Sequence, residues 1–288
     1  METLGPYFLR RIGLPESDKI EIPTADDDFL DAEIWTGNSP DWVVLTHGLE
    51  GSTRAVYLRA AAKHFLLQGK NVLAWNLRAC SGRLNRKPRL YHSGAYEDLA
   101  DVIDYIHLHH QPQSLMPVGF SLGGNLCLLL LARMDATWLE SRNVKSGMAI
   151  SVPINLSASA DKLELWHNLP YTYRFLEDLK SKIRWKSEQY PHIFRTEMLA
   201  QCNSILSFDD HYTAPIHGFR DAADYYRKCS SLYCLQEISI PVKILLAEND
   251  PMLARGNYSG LENLNPLVTI EIRKNGGHCG FWGQEIFG

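Results

Sequence analysis

The pentapeptide from Gly119 to Gly123 constrains the fold of this chain more than any other feature of the sequence. It has the form GxSxG, with Ser121 at its centre. The apolar run 115–120 leads into it, and the leucine-rich stretch 125–134 follows it. Glycine permits a sharp turn, and the two flanking runs are typical of a buried strand and a buried helix. The sequence therefore predicts a strand, a tight turn and a helix, with Ser121 raised above the sheet as a candidate nucleophile.

The rest of the chain predicts an α/β fold with a mostly parallel, doubly wound sheet of about eight strands. Helical patterns over 55–68 and 93–109 alternate with apolar runs, as in βαβ units. The first run alternates apolar and polar residues, so the sheet is expected to begin mixed and to become parallel. The runs that are typical of strands lie at 29–35, 42–45, 72–75, 115–120, 148–152, 242–247 and 267–272.

Residues 155–235 interrupt this alternation. The segment is longer than a crossover connection needs, and it mixes aromatic residues with Lys, Arg and Glu. We interpret it as a helical cap insertion at the carboxyl ends of the strands, where ligands of α/β sheets bind. With 288 residues, 45% of them hydrophobic, the chain is expected to form one core from residues 1–154 and 236–288.

Charge and hydropathy restrict the partners. The net charge is −4 and no basic stripe is present, so a nucleic-acid partner is not expected. The basic cluster Arg78, Arg83, Arg86, Lys87 and Arg89 is interpreted as a solvated loop. No segment stays apolar for the roughly 18 residues of a membrane span, and residues 1–14 lack a signal-peptide pattern. The sequence predicts a cytoplasmic protein; transient contact with lipid and the oligomeric state stay open.

Neither a metal nor a cofactor is expected. The six cysteines are scattered without CxxC spacing, which favours reduced thiols. His107, His109 and His110 close a predicted helix just before Pro112, where cationic side chains suit the helix dipole. These histidines are therefore interpreted as structural.

A serine nucleophile needs an imidazole to take its proton and a carboxylate to orient that imidazole. In this kind of fold the order along the chain is Ser, acid, His. His278 follows the last strand and two glycines, and Asp250 follows the strand 242–247. Glu248 competes for the acid role, but it lies nearer the strand, and the Asp-Pro turn favours Asp250. The predicted triad is Ser121, Asp250 and His278.

The negative oxygen of a tetrahedral intermediate needs two N–H donors. The residue after the nucleophile, Leu122, supplies one in such a fold, and the loop after the strand 42–45 supplies the other. Leu49 is the candidate in that loop. His47, in the same loop, is expected to orient it rather than to act as a base.

Several distinctive motifs are spread over nearly the whole chain. They are HGLEGS (47–52), NLRACSG (76–82), YHSG (91–94), GFSLGGN (119–125), FDDHYTAPIHGF (208–219), DYYRKCS (224–230), ENDP (248–251) and GGHCGF (276–281). In these motifs the chain resembles the YheT-like branch of the α/β-hydrolase superfamily. The resemblance implies an α/β-hydrolase fold, a triad at Ser121, Asp250 and His278, and cofactor-free cleavage of short to medium acyl esters, with some members acting on phospholipids.

Two departures from that family pattern stand out. Ala79 occupies a position where the family usually has Gly, and the chain ends soon after Gly283, where the family continues into a last helix. Neither departure touches the triad. No catalytic role follows for the distinctive motif residues, which are interpreted as cap and loop architecture: His92, Asp209, Asp210 and His217.

The sequence thus predicts a serine hydrolase that cleaves small-molecule carboxylic esters through an acyl-enzyme on Ser121. The cap is expected to select a hydrophobic acyl chain, whose length the sequence does not set. Two alternatives stay open. One is a non-catalytic scaffold that binds a small hydrophobic ligand. The other is a thioesterase or acyltransferase with the same triad.

Overall fold

The computed structural model describes residues 12–254, 258, 261 and 264–281. Residues 1–11 and Gly283 lie outside the described residues, so most of the N-terminal segment that lacks a signal-peptide pattern is not described. The described chain forms one eight-stranded sheet, which confirms the predicted fold class. Its strands are β1 (Asp18–Pro23), β2 (Phe29–Trp35), β3 (Asp41–Thr46), β4 (Asn71–Trp75), β5 (Ser114–Phe120), β6 (Gly147–Ile150), β7 (Val242–Ala247) and β8 (Val268–Arg273).

The strand order is β1-β2-β4-β3-β5-β6-β7-β8. Strand β2 runs antiparallel to both β1 and β4, and the remaining neighbours are parallel. The sheet therefore begins mixed and becomes parallel, as predicted. Strand β1 was not predicted, because only Ile20 and Ile22 interrupt its polar residues at the sheet edge.

Helices cover both faces of the sheet. Residues of α1 such as Phe65 pack with one set of alternate strand residues, including Val43. Residues of α2 and α3 pack with the other set, including Val44. The helices are α1 (Val56–Leu67), α2 (Tyr96–His110), α3 (Leu122–Arg133), α4 (Ala136–Ser141), α5 (Leu156–Leu163), α6 (Leu169–Gln189), α7 (Ile205–Phe208), α8 (Ala214–Ile216) and α9 (Ala222–Cys229).

The segment predicted to be a cap runs between β6 and β7 and is helical. It contains α5 to α9, and a π-helical turn over Asp209–Thr213 joins α7 to α8. Its apolar residues, among them Leu176, Ile183 and Phe208, form a cluster together with Leu90 and Met252 from outside the segment. Strands β5 and β6 are parallel neighbours, so the segment leaves the sheet at the same edge as Ser121. Its division from the core at residues 155 and 235 stays a prediction.

The expectation of a solvated basic loop is wrong for Arg78. Its side chain is fully buried, and its guanidinium pairs with Asp26 at 2.9 Å, Asp28 at 3.0 Å and Asp98 at 2.9 Å. A buried charge persists in a protein only when it is paired and hydrogen-bonded, and these carboxylates lie far from Arg78 in sequence. The sequence cluster alone therefore could not identify it as structural.

No helix in the described part of the chain is long and apolar enough to cross a membrane.

At the end of α2, the ring of His110 lies 4.4 Å from that of Trp42, and the ring of His109 lies 4.3 Å from that of Tyr105. Within residues 12–254 and 264–281, no group of three or more His, Cys, Asp or Glu side chains could hold a metal ion.

Candidate active site

Ser121 stands at the turn between β5 and α3. Its backbone has φ 53° and ψ −124°, a conformation that few residues other than glycine adopt. The turn is tight because glycines flank it: a Cβ at Gly119 would lie 2.1 Å from the Gly123 carbonyl oxygen, and one at Gly123 would lie 2.4 Å from the His47 carbonyl oxygen. The GxSxG spacing thus has a steric cause, and the packing fixes the Ser121 hydroxyl above the sheet edge.

Asp250 and His278 come from the loops after β7 and β8, which are parallel neighbours. The imidazole Nδ1 of His278 lies 2.9 Å from Asp250 Oδ2 and 3.2 Å from Oδ1. Its Nε2 lies 2.9 Å from Ser121 Oγ. The Asp250 side chain is 1% exposed and that of His278 is 12% exposed. The structure therefore brings the three predicted side chains into one hydrogen-bonded row.

Glu248, the competing acid, lies on the exposed side of the same loop. Its backbone N–H donates to the Arg273 carbonyl oxygen at 2.8 Å, which continues the pairing of β7 with β8. Asp250 is instead held inward, because its Oδ1 also accepts the backbone N–H of Met252 at 2.9 Å. Asp250 therefore has the geometry to orient His278.

The loop after β3 packs directly against Ser121. A Cβ at Gly48 would lie 2.8 Å from that of Ser121, so only glycine allows this approach. The backbone N–H groups of Leu49 and Leu122 donate to no other group among the described residues. Both residues also line the pocket that contains Ser121. The two predicted oxyanion donors thus flank the serine.

His47 holds this loop in place from beneath. It is fully buried; its Nε2 accepts the backbone N–H of Leu77 at 3.0 Å, so Nδ1 carries the proton and donates to the Gly48 carbonyl oxygen at 2.7 Å. Burial lowers the pKa of His47 to about 4, which keeps the ring neutral at physiological pH. The expected orienting role of His47 fits these contacts.

Sequence reasoning missed a buried ion pair that joins this loop to the insertion. Lys182, from α6, pairs with the carboxylate of Glu50, the residue after Leu49, and the two side chains are 11% and 5% exposed. Tyr91 also donates to that carboxylate. Glu50 has φ 53°, so it stands in the left-handed region. The HGLEGS motif contained the glutamate, but no sequence signal indicated its partner.

The distinctive motifs of the sequence meet behind the serine. The Asn125 side chain donates to the carbonyl oxygens of Ser93 and Cys229, at 2.7 and 2.8 Å, and accepts the N–H of Ser231 at 3.0 Å. The rings of His92 and His217 lie 4.4 Å apart and are tilted by 47° to each other. These contacts fit the architectural interpretation of the YHSG, DYYRKCS and FDDHYTAPIHGF motifs.

Two pockets open beside Ser121. The first has a volume of about 110 Å³ and a mainly apolar lining, which includes Leu156 and Leu163 of the insertion. The second has about 220 Å³ and is lined by the loop 48–55 together with Tyr171 and Arg174. A serine between two pockets is arranged to act on a bond with a group on each side.

The sequence matches the family model of the alpha/beta hydrolase fold over residues 41–284. It is 33% identical over 296 residues to the Escherichia coli (strain K12) protein named "Putative esterase YheT", a match that spans 99% of this chain and 85% of that protein. It is 26% identical over 242 residues to the phospholipase ABHD3 of Mus musculus, which spans 83% of this chain and 58% of that protein.

Among solved structures, the fold is similar to that of the Pyrococcus furiosus esterase Pf2001. The TM-score is 0.62 at 18% sequence identity, and the match covers 92% of this chain and 84% of that one. At this identity the likeness concerns the fold alone.

Proposed function

The chain belongs to the α/β-hydrolase family, in its YheT-like branch, and from this we propose that it is a serine hydrolase that cleaves carboxylic esters of small molecules. One observation carries the proposal. His278 lies 2.9 Å from Ser121 Oγ through one ring nitrogen and 2.9 Å from the buried Asp250 through the other. Relatives named as an esterase and a phospholipase support ester substrates.

The reaction follows from these contacts. Ser121 Oγ attacks the ester carbonyl as His278 Nε2 takes its proton, and Asp250 stabilises the imidazolium that forms. The N–H groups of Leu49 and Leu122 hold the developing oxyanion. His278 then gives the proton to the departing alcohol, and a water molecule hydrolyses the acyl-enzyme by the same steps in reverse.

The two pockets separate the two halves of the ester. The apolar pocket takes the acyl group, because apolar surface favours a hydrocarbon chain, and the insertion, as a cap, lines it. The second pocket takes the alcohol and opens beside the exposed guanidinium groups of Arg54 and Arg174. A cavity of about 150 Å³ holds benzene, so the smaller acyl pocket suits a chain of about four to six carbons.

Replacement of Ser121 tests the proposal. Ser121→Ala is expected to lower the turnover of p-nitrophenyl butyrate by about six orders of magnitude, because only binding and oxyanion stabilisation survive. A fluorophosphonate should label Ser121 in the unmodified protein, as peptide mass spectrometry would detect. Ser181→Ala, an exposed serine of the insertion, is the matched control.

Near-normal turnover by Ser121→Ala would overturn the assignment of the nucleophile. A folded protein that neither hydrolyses the ester nor reacts with the fluorophosphonate would instead favour the non-catalytic scaffold.

A further inference from the structure

The apolar pocket beside Ser121 has one polar wall, which the insertion builds. We call Ser159, Asp209, Thr213 and Tyr226 the polar wall; all four line the pocket. They lie on α5, on the π-helical turn and on α9. Single π-helical turns occur frequently at functional sites. The proposed mechanism of ester cleavage uses none of these side chains.

Asp209 is the central group of the polar wall. It is 8% exposed; its Oδ1 accepts the hydroxyl of Thr213 at 2.6 Å and its Oδ2 that of Tyr226 at 2.8 Å. Within the described part of the chain, no Lys, Arg or His forms an ion pair with it. Burial raises the pKa of Asp209 to about 6. A carboxylate offers about four lone-pair sites, so the group retains acceptor capacity toward a ligand.

Ser159 gives a second and independent observation. It is 7% exposed, and its hydroxyl has no hydrogen-bond partner among the described residues. The large majority of buried polar side-chain atoms in folded proteins have at least one hydrogen-bond partner. Since Ser159 lines the same pocket as Asp209, a ligand in that pocket is the natural source of its partner.

The two side chains together define the group that would satisfy them. Asp209 can accept one more donor, and the Ser159 hydroxyl can donate in turn to an acceptor. An aliphatic hydroxyl is both. A carboxylate would be repelled by Asp209. An ammonium would bring a second ion among Leu156, Leu163 and Ile205, and its desolvation is costly even beside a carboxylate.

Building on the proposed esterase function, we propose that the acyl group of the substrate carries a hydroxyl, which donates to Asp209 and accepts from Ser159. The polar wall then makes this a site for hydroxyacyl esters rather than for plain hydrocarbon chains. A site built to bond a substrate hydroxyl discriminates strongly against the analogue that lacks it, since its own buried polar groups are then left unpaired.

The test compares p-nitrophenyl esters that differ only in the acyl hydroxyl. The set contains butyrate, pentanoate and hexanoate and their monohydroxy forms, with the hydroxyl at each carbon from the third to the last. A hydrogen bond to a charged acceptor predicts that, at one position, kcat/KM exceeds that of the plain ester by about 10- to 100-fold. An aminoacyl series of the same lengths should show no such gain.

Two variants assign the effect to the polar wall. Ser159→Ala should lower the preferred ratio of hydroxy to plain ester about fivefold, and Asp209→Asn should bring it to within about threefold of one. Ser181→Ala, outside the pocket, should leave the ratio unchanged. Circular dichroism checks that each variant is folded, and Ser159→Ala, which removes a single oxygen, covers the case in which Asp209→Asn does not fold.

A binding measurement separates this inference from the proposed function. The hydroxylated and plain acyl amides are titrated calorimetrically into the Ser121→Ala protein, which needs no turnover. Tighter binding of one hydroxyamide, lost with Ser159→Ala in the same background, supports the polar wall even if no ester is hydrolysed. Equal kcat/KM and equal affinity for hydroxy and plain compounds would overturn it while leaving the esterase proposal intact, as would a preference for the aminoacyl series.

Discussion

The carboxylate of Asp250 determines which nitrogen of His278 faces Ser121 without a proton. Its Oδ2 lies 2.9 Å from Nδ1, and in the proposed mechanism it holds the proton there so that Nε2 accepts the proton of the serine. Asp250→Asn keeps the shape of the site but favours the wrong tautomer. We expect kcat for p-nitrophenyl butyrate to fall about 10⁴-fold.

Glu248→Gln is the matched control for this prediction, because it makes the same chemical change two residues away on the exposed side of the loop. Its kcat should stay within about threefold of the unmodified enzyme, as surface changes distant from the reacting atoms usually do. If Glu248→Gln were the more damaging of the two, Asp250 would not be the acid.

At this same scale, the sequence was most informative where a residue type and its place after a strand coincide. Ser121, Asp250 and His278 each follow a recognisable strand, and parallel strands end at one edge of a sheet. The backbone conformation of Ala79 was harder to predict. Its φ of 60° explains why the family usually has Gly at that position, but the strain is visible only in the backbone.

At the scale of elements, the role of α6 could not be predicted from the sequence. It is rich in charged residues, which predicts a solvated helix, yet Lys182 and Lys186 are both buried. They lie four residues apart and so share one face. Lys182 reaches Glu50 in the loop after β3, and Lys186 Nζ donates to the Asn85 carbonyl oxygen at 2.7 Å. The partners are 132 and 101 residues away in sequence, so no local pattern could reveal them.

The Lys182–Glu50 pair leads to a prediction for the positioning of Leu49. Lys182→Met leaves the Glu50 carboxylate buried without its cation, and the loop is expected to shift to solvate it. Loss of alignment at one oxyanion donor predicts a fall in kcat of about 10² with little change in KM. Steady-state kinetics on p-nitrophenyl butyrate measures both constants.

Two further variants show whether the pair acts through the loop. Glu50→Gln in the Lys182→Met background removes the unpaired charge and should recover about tenfold of the lost kcat. Lys180→Met, the same change on the same helix, should have no effect on kcat. A Lys182→Met protein that is merely less stable, with kcat unaltered, would assign the pair to folding alone.

For the whole molecule, two buried groups oppose each other as the pH falls. Burial lowers the pKa of His47 to about 4 in the folded protein, from the usual 6.5 of a histidine in an unfolded chain. Between these values the unfolded chain binds a proton that the folded protein does not, so stability is full above pH 6.5 and is lost as the pH falls toward 4. For a shift of this size the loss is about 3 kcal/mol.

The contribution of Asp209 to stability depends on pH in the opposite direction. Burial raises the pKa of this carboxyl to about 6 in the folded protein, from the usual 3.8 of an aspartate in an unfolded chain, so the folded protein takes up the proton first. The stabilisation is full below pH 3.8 and is lost as the pH rises through 6, and it also amounts to about 3 kcal/mol. Burial likewise lowers the pKa of His92 well below its usual value, which adds to the acid sensitivity caused by His47.

Removal of the Asp209 carboxyl should therefore leave the loss of stability that the buried histidines cause at low pH without its opposing contribution. In Asp209→Asn the free energy of unfolding, measured by urea denaturation from pH 7 to pH 4, should fall more steeply than in the unmodified protein, by about 3 kcal/mol across that range. The exposed neighbour Asp210 supplies the control, since Asp210→Asn should give a curve parallel to that of the unmodified protein. Parallel curves for Asp209→Asn as well would mean that Asp209 is already ionised in the folded protein at pH 4. That result would mean that the hydrogen bonds from Thr213 and Tyr226, together with solvent or a cation at the polar wall, offset the burial of the charge.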